Sequence, residues 1–243
     1  NEQKTKVTSF GDGWQTGTQD WGNGSIEEYY SLRPNSSQKG KIGVLYSNVG
    51  MYDGKTIDLK ITIEDWQQFS TYQGYISYSK ENIAHIQQGY GYVDQSWEFI
   101  DQKTGKSIEV SGFMTINDID GGQGVQFSKS SSQAIDKLYV AGTDNWIKYS
   151  NIDGEYKFFD DSGNSSANED LFATFTFLYS NQSSLRFKWC VDKNLIGWDY
   201  ENLNYEKDFP GNAGYQGAYF GYIAKKPVRT ELPAPVKKNS DSD

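Results

Sequence analysis

Residues 112–128, GFMTINDIDGGQGVQFS, set two aspartates and four glycines between two apolar runs. Asp118 and Asp120 are spaced as the first ligands of a metal loop. Calcium, a hard cation that takes roughly six to eight oxygens, is the ion such a loop would hold. Aligned to a helix–loop–helix calcium motif, the stretch fails. A glycine falls on a ligand position, and Lys129 stands where a bidentate Glu is needed. The flanks also read as strands. The pair therefore reads as a tight turn, in which carboxylates accept from nearby backbone N–H groups and glycine takes positive φ. A calcium site here would need ligands from elsewhere in the chain, and no cofactor is required.

Other reactive residue types are sparse. His85 is the single histidine, and no serine-elbow motif accompanies it. Cys190 is the single cysteine, inside the apolar run FKWCV, where an inert buried thiol is expected. One thiol excludes an internal disulfide, and one His with one Cys is too few for zinc. Glycosidase chemistry needs two carboxylates roughly 5–10 Å apart. Acids lie beside aromatics at Glu64-Asp65 with Trp66, Glu98 with Trp97, and Asp199 and Glu201 with Trp198, but no stretch singles out one pair. A Lys–Asn isopeptide bond needs a buried lysine. Lys60 and Lys188 sit in strand-like runs, and alternation turns Lys60 away from the apolar face.

Aromatic-polar loops carry the strongest functional signal. GDGWQTGTQDWGNG, residues 11–24, holds Trp14 and Trp21. WDYENLNYEKDFPGNAGYQG, residues 198–217, holds Trp198, Asp199, Tyr200 and Tyr205. Rings pack on the apolar face of a sugar while amides and carboxylates bond its hydroxyls. The same residue types also build protein interfaces. These six residues are the candidate ligand contacts.

The elements that must position them are strands. Ile57, Leu59, Ile61 and Ile63 alternate with Asp58, Lys60 and Thr62, the period of a half-buried strand. Turns are read at Asp53-Gly54-Lys55, at Lys103-Thr104-Gly105 as the tip of a short hairpin, and at Asp153-Gly154. SSSQAIDKLYV combines a short helical turn with a strand, and GAYFGYIAKK reads as the last strand. The first strand starts near Val7. Many short strands with little helix predict an all-β, antiparallel two-sheet sandwich of jelly-roll type with long loops.

Composition sharpens this. The chain has 243 residues, 16% of them aromatic, and a formal charge of −9. Aliphatics are scarce, so aromatics must fill much of the core. The acidic balance disfavours nucleic acid and anionic lipid, and no run approaches the roughly 20 apolar residues of a membrane span. A single domain over residues 1–226 is expected, with residues 1–40 as a covering segment. Residues 227–243, with Pro227, Pro233 and Pro235 among charges, read as a linker toward further domains.

Four stretches, VGMYDGKTIDLKITIEDW, WEFIDQKTGKSIEVSGFMTINDIDGGQGVQF, IDKLYVAG and YQGAYFGYIAKKP, resemble in their order the lectin-like, non-repetitive ligand-binding domain of CshA-type fibrillar adhesins of Gram-positive bacteria. More loosely, the chain is similar to the adhesin domains of the antigen I/II group. The likeness covers residues 40 to 226. It implies a lectin-like sandwich on a wall-anchored, secreted parent, joined to stalk domains. Its implied partners are a host glycoprotein, matrix protein or glycan, bound without turnover. Two other readings stay open on the residues alone: a carbohydrate-active enzyme on a jelly roll, and a ligand-free stalk domain.

Overall fold

The computed structural model describes residues 5–20, 22, 24, 26–68, 74–140, 145–160, 162, 164, 166, 170–191, 215–222 and 230–231. From residue 191 onward the description is of backbone only.

The first strands are β1 (Lys6–Phe10), β2 (Gln15–Asp20), β3 (Ile26–Leu32), β4 (Ile42–Tyr52) and β5 (Lys55–Gln68). They are followed by β6 (Tyr75–Ser79), β7 (Ala84–Gln88), β8 (Tyr90–Asp101), β9 (Val110–Ile116) and β10 (Gln123–Phe127). A five-residue helix α1 (Lys129–Gln133) leads into β11 (Ile135–Val140), β12 (Ile147–Ile152) and β13 (Glu155–Asp160). The chain continues through β14 (Phe175–Gln182), β15 (Ser184–Val191), β16 (Tyr215–Tyr222) and β17 (Thr230–Glu231). One sheet has eight strands in the order β1-β4-β5-β8-β15-β10-β13-β12, and the other has nine in the order β17-β11-β14-β9-β16-β7-β6-β3-β2. The described pairings are antiparallel, as in the expected two-sheet sandwich.

Alternation fixes which face each strand buries. Ile57, Leu59, Ile61 and Ile63 are all 0% exposed, while Lys60 lies on the outer face over the Phe10 ring. The sheets meet through rings. Phe99 stacks on Tyr179 at 5.8 Å, Phe127 meets Phe177 edge-on at 5.1 Å, and Phe158 stacks on Phe175 at 4.4 Å. The largest fully buried side chains are all aromatic. Each contributes about 2–3 kcal/mol of burial, so rings do replace the scarce aliphatics.

Two turns match the residues that signalled them. Asp53 and Gly54 both take positive φ, as do Asp153 and Gly154. That is the twist-matched two-residue hairpin. The Lys103-Thr104-Gly105 turn closes a short hairpin, with Asp101 N–H donating to the Lys106 carbonyl and Ile100 bridging Ser107. Gly105 N–H donates to the Asp101 carbonyl and Ile108 N–H to the Phe99 carbonyl, so the chain does turn back on β8. The return lasts only to Ile108. Fully buried Val110 then starts β9 in the opposite sheet. The core claims Val110, and that ends the hairpin.

The first forty residues enter both sheets, β1 in one and β2 and β3 in the other. At the far end, Thr230 and Glu231 pair with Val140 and Tyr139, inside the stretch read as linker. Among the described residues, no helix is long and apolar enough to cross a membrane.

Candidate functional site

After Phe10 the chain must pass from one sheet to the other within four residues. Gly11 and Gly13 make this feasible. Both take positive φ, and a Cβ on Gly11 would lie 2.5 Å from Ile42 Cγ2, one on Gly13 2.8 Å from Leu32 Cδ1. The loop therefore lies flat on the core, where only glycine fits. Trp14 closes it. Its indole N–H donates to the Phe10 carbonyl at 2.8 Å, and its ring meets Tyr78 edge-on at 6.3 Å. Half-buried, Trp14 serves here as the anchor of the loop.

A second wall rises where β3 ends. Leu32 and Pro34 are buried, and Arg33 between them is exposed. Asn35 then caps a 3₁₀ turn over Ser36–Gln38. Its carboxamide accepts from Ser37 N–H at 3.2 Å, while Asn35 N–H donates to Gln38 Oε1 at 3.1 Å. This is a capping box, and it satisfies two backbone donors reciprocally. The Gln38 Nε2 then donates to the Asp12 carbonyl at 2.8 Å and ties the two walls together.

Between them lies an open groove of about 570 Å³. Asp12, Gln15, Thr16, Ser31, Arg33 and Tyr75 line it, along with the two capping amides. Gly17 lies in the groove, and a Cβ there would meet nothing within 4 Å. The lining is rich in hydroxyls and amides, with one aromatic side chain and one charge of each sign. Its walls are held by backbone turns and by packing on the core, so little ordering remains to be done when something binds.

The Asp118–Asp120 stretch forms the crossing from β9 to β10, between the two sheets. Asp118 takes φ +60, and Gly121 and Gly122 are also left-handed. The aspartates bind backbone and nearby side chains. Asp120 Oδ2 accepts from the Ser166 N–H and hydroxyl, Asp120 Oδ1 from Gln123 Nε2, and Asp160 Oδ2 from Gly122 N–H. Burial pushes the Asp118 carboxyl up to about 8, with help from the charges of Asp120 and Asp170 and against a weak bond from Ser166. Asp120 is raised by burial as well, opposed by the two Ser166 bonds. The corner is hard-oxygen chemistry. Among the described residues, however, no three His, Cys, Asp or Glu side chains are placed to hold a metal ion.

The remaining candidates divide. Trp21, Trp198, Asp199, Tyr200 and Tyr205 lie outside the described residues. His85 is buried, bonded through Nε2 to Gln87 and stacked on Trp189. Desolvation pushes it down to about 4, so it stays neutral in the core. Lys188 rests over the Tyr92 ring on the outer face. Burial raises Asp65, but bonds from Lys39, the Trp66 N–H and the Tyr92 hydroxyl outweigh it and leave the carboxyl below its usual range. Glu98 accepts from the Ser107 hydroxyl at 2.6 Å. Arg33, Asn35 and Gln38 went unrecognised in the sequence, although Asn35 followed three residues later by Gln38 is the signature of a capping box.

No protein-family model matches this chain, and comparison with curated proteins gives no match. Its structure is similar to the N-terminal domain of the Streptococcus gordonii adhesin Sgo0707, with a TM-score of 0.58 and 13% identity. That match covers 92% of this chain and 62% of the other, so the chain spans less than two thirds of that domain's length. The adhesin domain of PrgB from Enterococcus faecalis also matches, at 13% identity and a TM-score of 0.44, over 82% of this chain and 67% of that one. At 13% identity, the likeness to the Sgo0707 domain shows that the two chains share a sandwich fold.

Proposed function

We propose that this chain is a ligand-binding domain of a bacterial surface adhesin. In this reading it attaches its bearer to a host glycoprotein, matrix protein or glycan, without turnover. The groove between the β1–β2 loop and the capped turn after β3 carries the reading. It is preformed, polar and open, and it lies on a sandwich like that of a known adhesin domain. The acids best placed for catalysis are otherwise engaged. Asp65 is held ionised by three donors, and Asp120 is occupied at the sheet crossing. A groove of this size accommodates one or two sugar rings, or a short peptide segment.

Gly17→Trp tests the reading. The position has open space and ordinary φ, so the indole fills the groove without disturbing the fold. The 243-residue chain is screened on arrays of host glycans and matrix proteins beside this variant. Array binding that disappears in Gly17→Trp, with an unchanged melting temperature, supports the reading. No binding by the folded parent chain, or binding that Gly17→Trp leaves intact, overturns it.

A further inference from the structure

The geometry points to a carboxylate-bearing sugar, carried on an otherwise neutral glycan, as the ligand of the groove, with Arg33 as its anion contact. This inference rests on the reading of the groove as the binding site. Two arginines are described, and they differ in one respect. Arg186 is engaged, its guanidinium on the Asp94 carboxylate at 3.0 Å. Arg33 lines the groove with no hydrogen bond or ion pair to any described residue. A planar guanidinium presents a fixed fork of donors that matches a carboxylate in two parallel bonds, and these charge-assisted bonds are about twice as strong as neutral ones.

The position of Arg33 is set before any ligand arrives. Buried Leu32 and Pro34 flank it, and the capping box of Asn35 and Gln38 fixes the next turn. The other lining groups suit a sugar ring. Gln15, Thr16, Ser31 and Asn35 offer donors and acceptors for hydroxyls, and Tyr75 supplies aromatic surface.

Charge narrows the ligand further. The chain carries −9 overall, and Asp12 stands in the same groove. A single carboxylate held against Arg33 gains its local bonds. A polyanion would bring further charges within roughly 8 Å of an acidic surface, where repulsion is only partly screened. The groove therefore selects one isolated negative charge over a run of them.

The test is NMR titration of the isotope-labelled 243-residue chain with 3′-sialyllactose, lactose and a heparin fragment. The inference expects shifts of groove amides with 3′-sialyllactose and at least tenfold weaker binding of lactose. Arg33→Gln should lose tenfold or more for the sialylated probe and so close the gap between it and lactose. Asp12→Asn should bind the sialylated probe more tightly. Raising the salt to 0.5 M should weaken the parent chain and spare Arg33→Gln. Equal binding of lactose and 3′-sialyllactose overturns the carboxylate inference, as does an unaltered Arg33→Gln or preference for heparin. The groove reading then still stands, provided that Gly17→Trp abolishes the binding observed. If array binding survives Gly17→Trp, the groove reading itself has failed.

Discussion

The corner at Asp118 gives the sharpest test of the physical description. Its carboxyl is pushed from 3.8 to about 8 in the folded chain, chiefly by burial. In the unfolded chain the same group titrates near its ordinary value. A raised carboxyl contributes stability that is complete below the unfolded value and is lost as pH rises through the folded one. Each pH unit across this window costs about 1.36 kcal/mol for the one proton that differs. From pH 6.5 to 8 the expected loss is about 1.5 kcal/mol, less than a full 2 because the folded carboxyl is itself half ionised at the upper end. Summed over the window the cost reaches about 6 kcal/mol, an upper bound because the corner can relax.

Asp118→Asn removes the titration and keeps the shape. Asparagine tolerates the left-handed φ of +60, and its amide can still accept the Ser166 hydroxyl. Urea unfolding between pH 6.5 and 8, in EDTA to keep divalent cations off the carboxylates, reads the difference. The parent midpoint should fall by about 0.5 M while the variant stays level. Parallel lines for the two proteins would refute the reasoning, since the carboxyl would then have the same affinity for protons folded and unfolded. Asp120 is raised by the same burial and is present in both proteins, so the comparison isolates Asp118.

Other outcomes follow from the same structure. His85 is depressed to about 4, so its contribution is complete above pH 6.5 and is lost as pH falls toward 4, about 3 kcal/mol in all. Over that range Asp118 works in the opposite direction. On acidification from pH 6.5 to 4.5, His85→Phe should gain more stability than the parent chain does, read by urea midpoints. Gly43→Ala in β4 should cost several kcal/mol or prevent folding. Its Cβ would lie 1.8 Å from the Ile61 carbonyl oxygen, and that is backbone that cannot step aside, so soluble yield and melting temperature should both drop. Phe177→Ala should cost about 3–5 kcal/mol by chemical denaturation, because the ring is fully buried between Phe127, Phe175 and Tyr179.

Much of the sandwich was legible because period-two patterning and turn chemistry are local. Ile57 to Ile63 declared their face, and Asp53-Gly54 and Asp153-Gly154 declared their hairpins. The 103–105 turn declared a short hairpin, although a turn signal does not say how far pairing continues beyond it. What ends that pairing is Val110, drawn into the opposite sheet by a core assembled from distant strands. At the corner, Asp120 accepts from a backbone N–H as the turn reading expects, while Asp118 takes a long bond from the Ser166 hydroxyl. The bonding partner Ser166 and the repelling charges of Asp160 and Asp170 lie roughly forty to fifty residues away and carry no local signal. The groove was hidden for the same reason. Trp14 drew attention as the conspicuous aromatic, yet its indole holds the loop, while Arg33 and Gln38, in an unremarked polar stretch, form the facing wall.

The two aspartate sites show why residue type alone misleads about role. Asp118 and Asp120 look like chemistry in sequence, but their oxygens hold a crossing between sheets, and their protons respond to burial. Asp12 looks like one more acid in a glycine-rich loop, yet only its carbonyl is used by the fold, accepting from Gln38. Its carboxylate faces an open groove across from an arginine with no described partner. Asp120, which accepts from a backbone N–H and two side-chain donors, has little left to offer a ligand. Arg33, its backbone held between two buried residues, keeps a guanidinium with no partner among the described residues and a fork of donors to offer. Recognition by this fold is therefore to be sought at the open end, where the folded chain leaves charge unmatched, and not at the corner, where it has already matched its own.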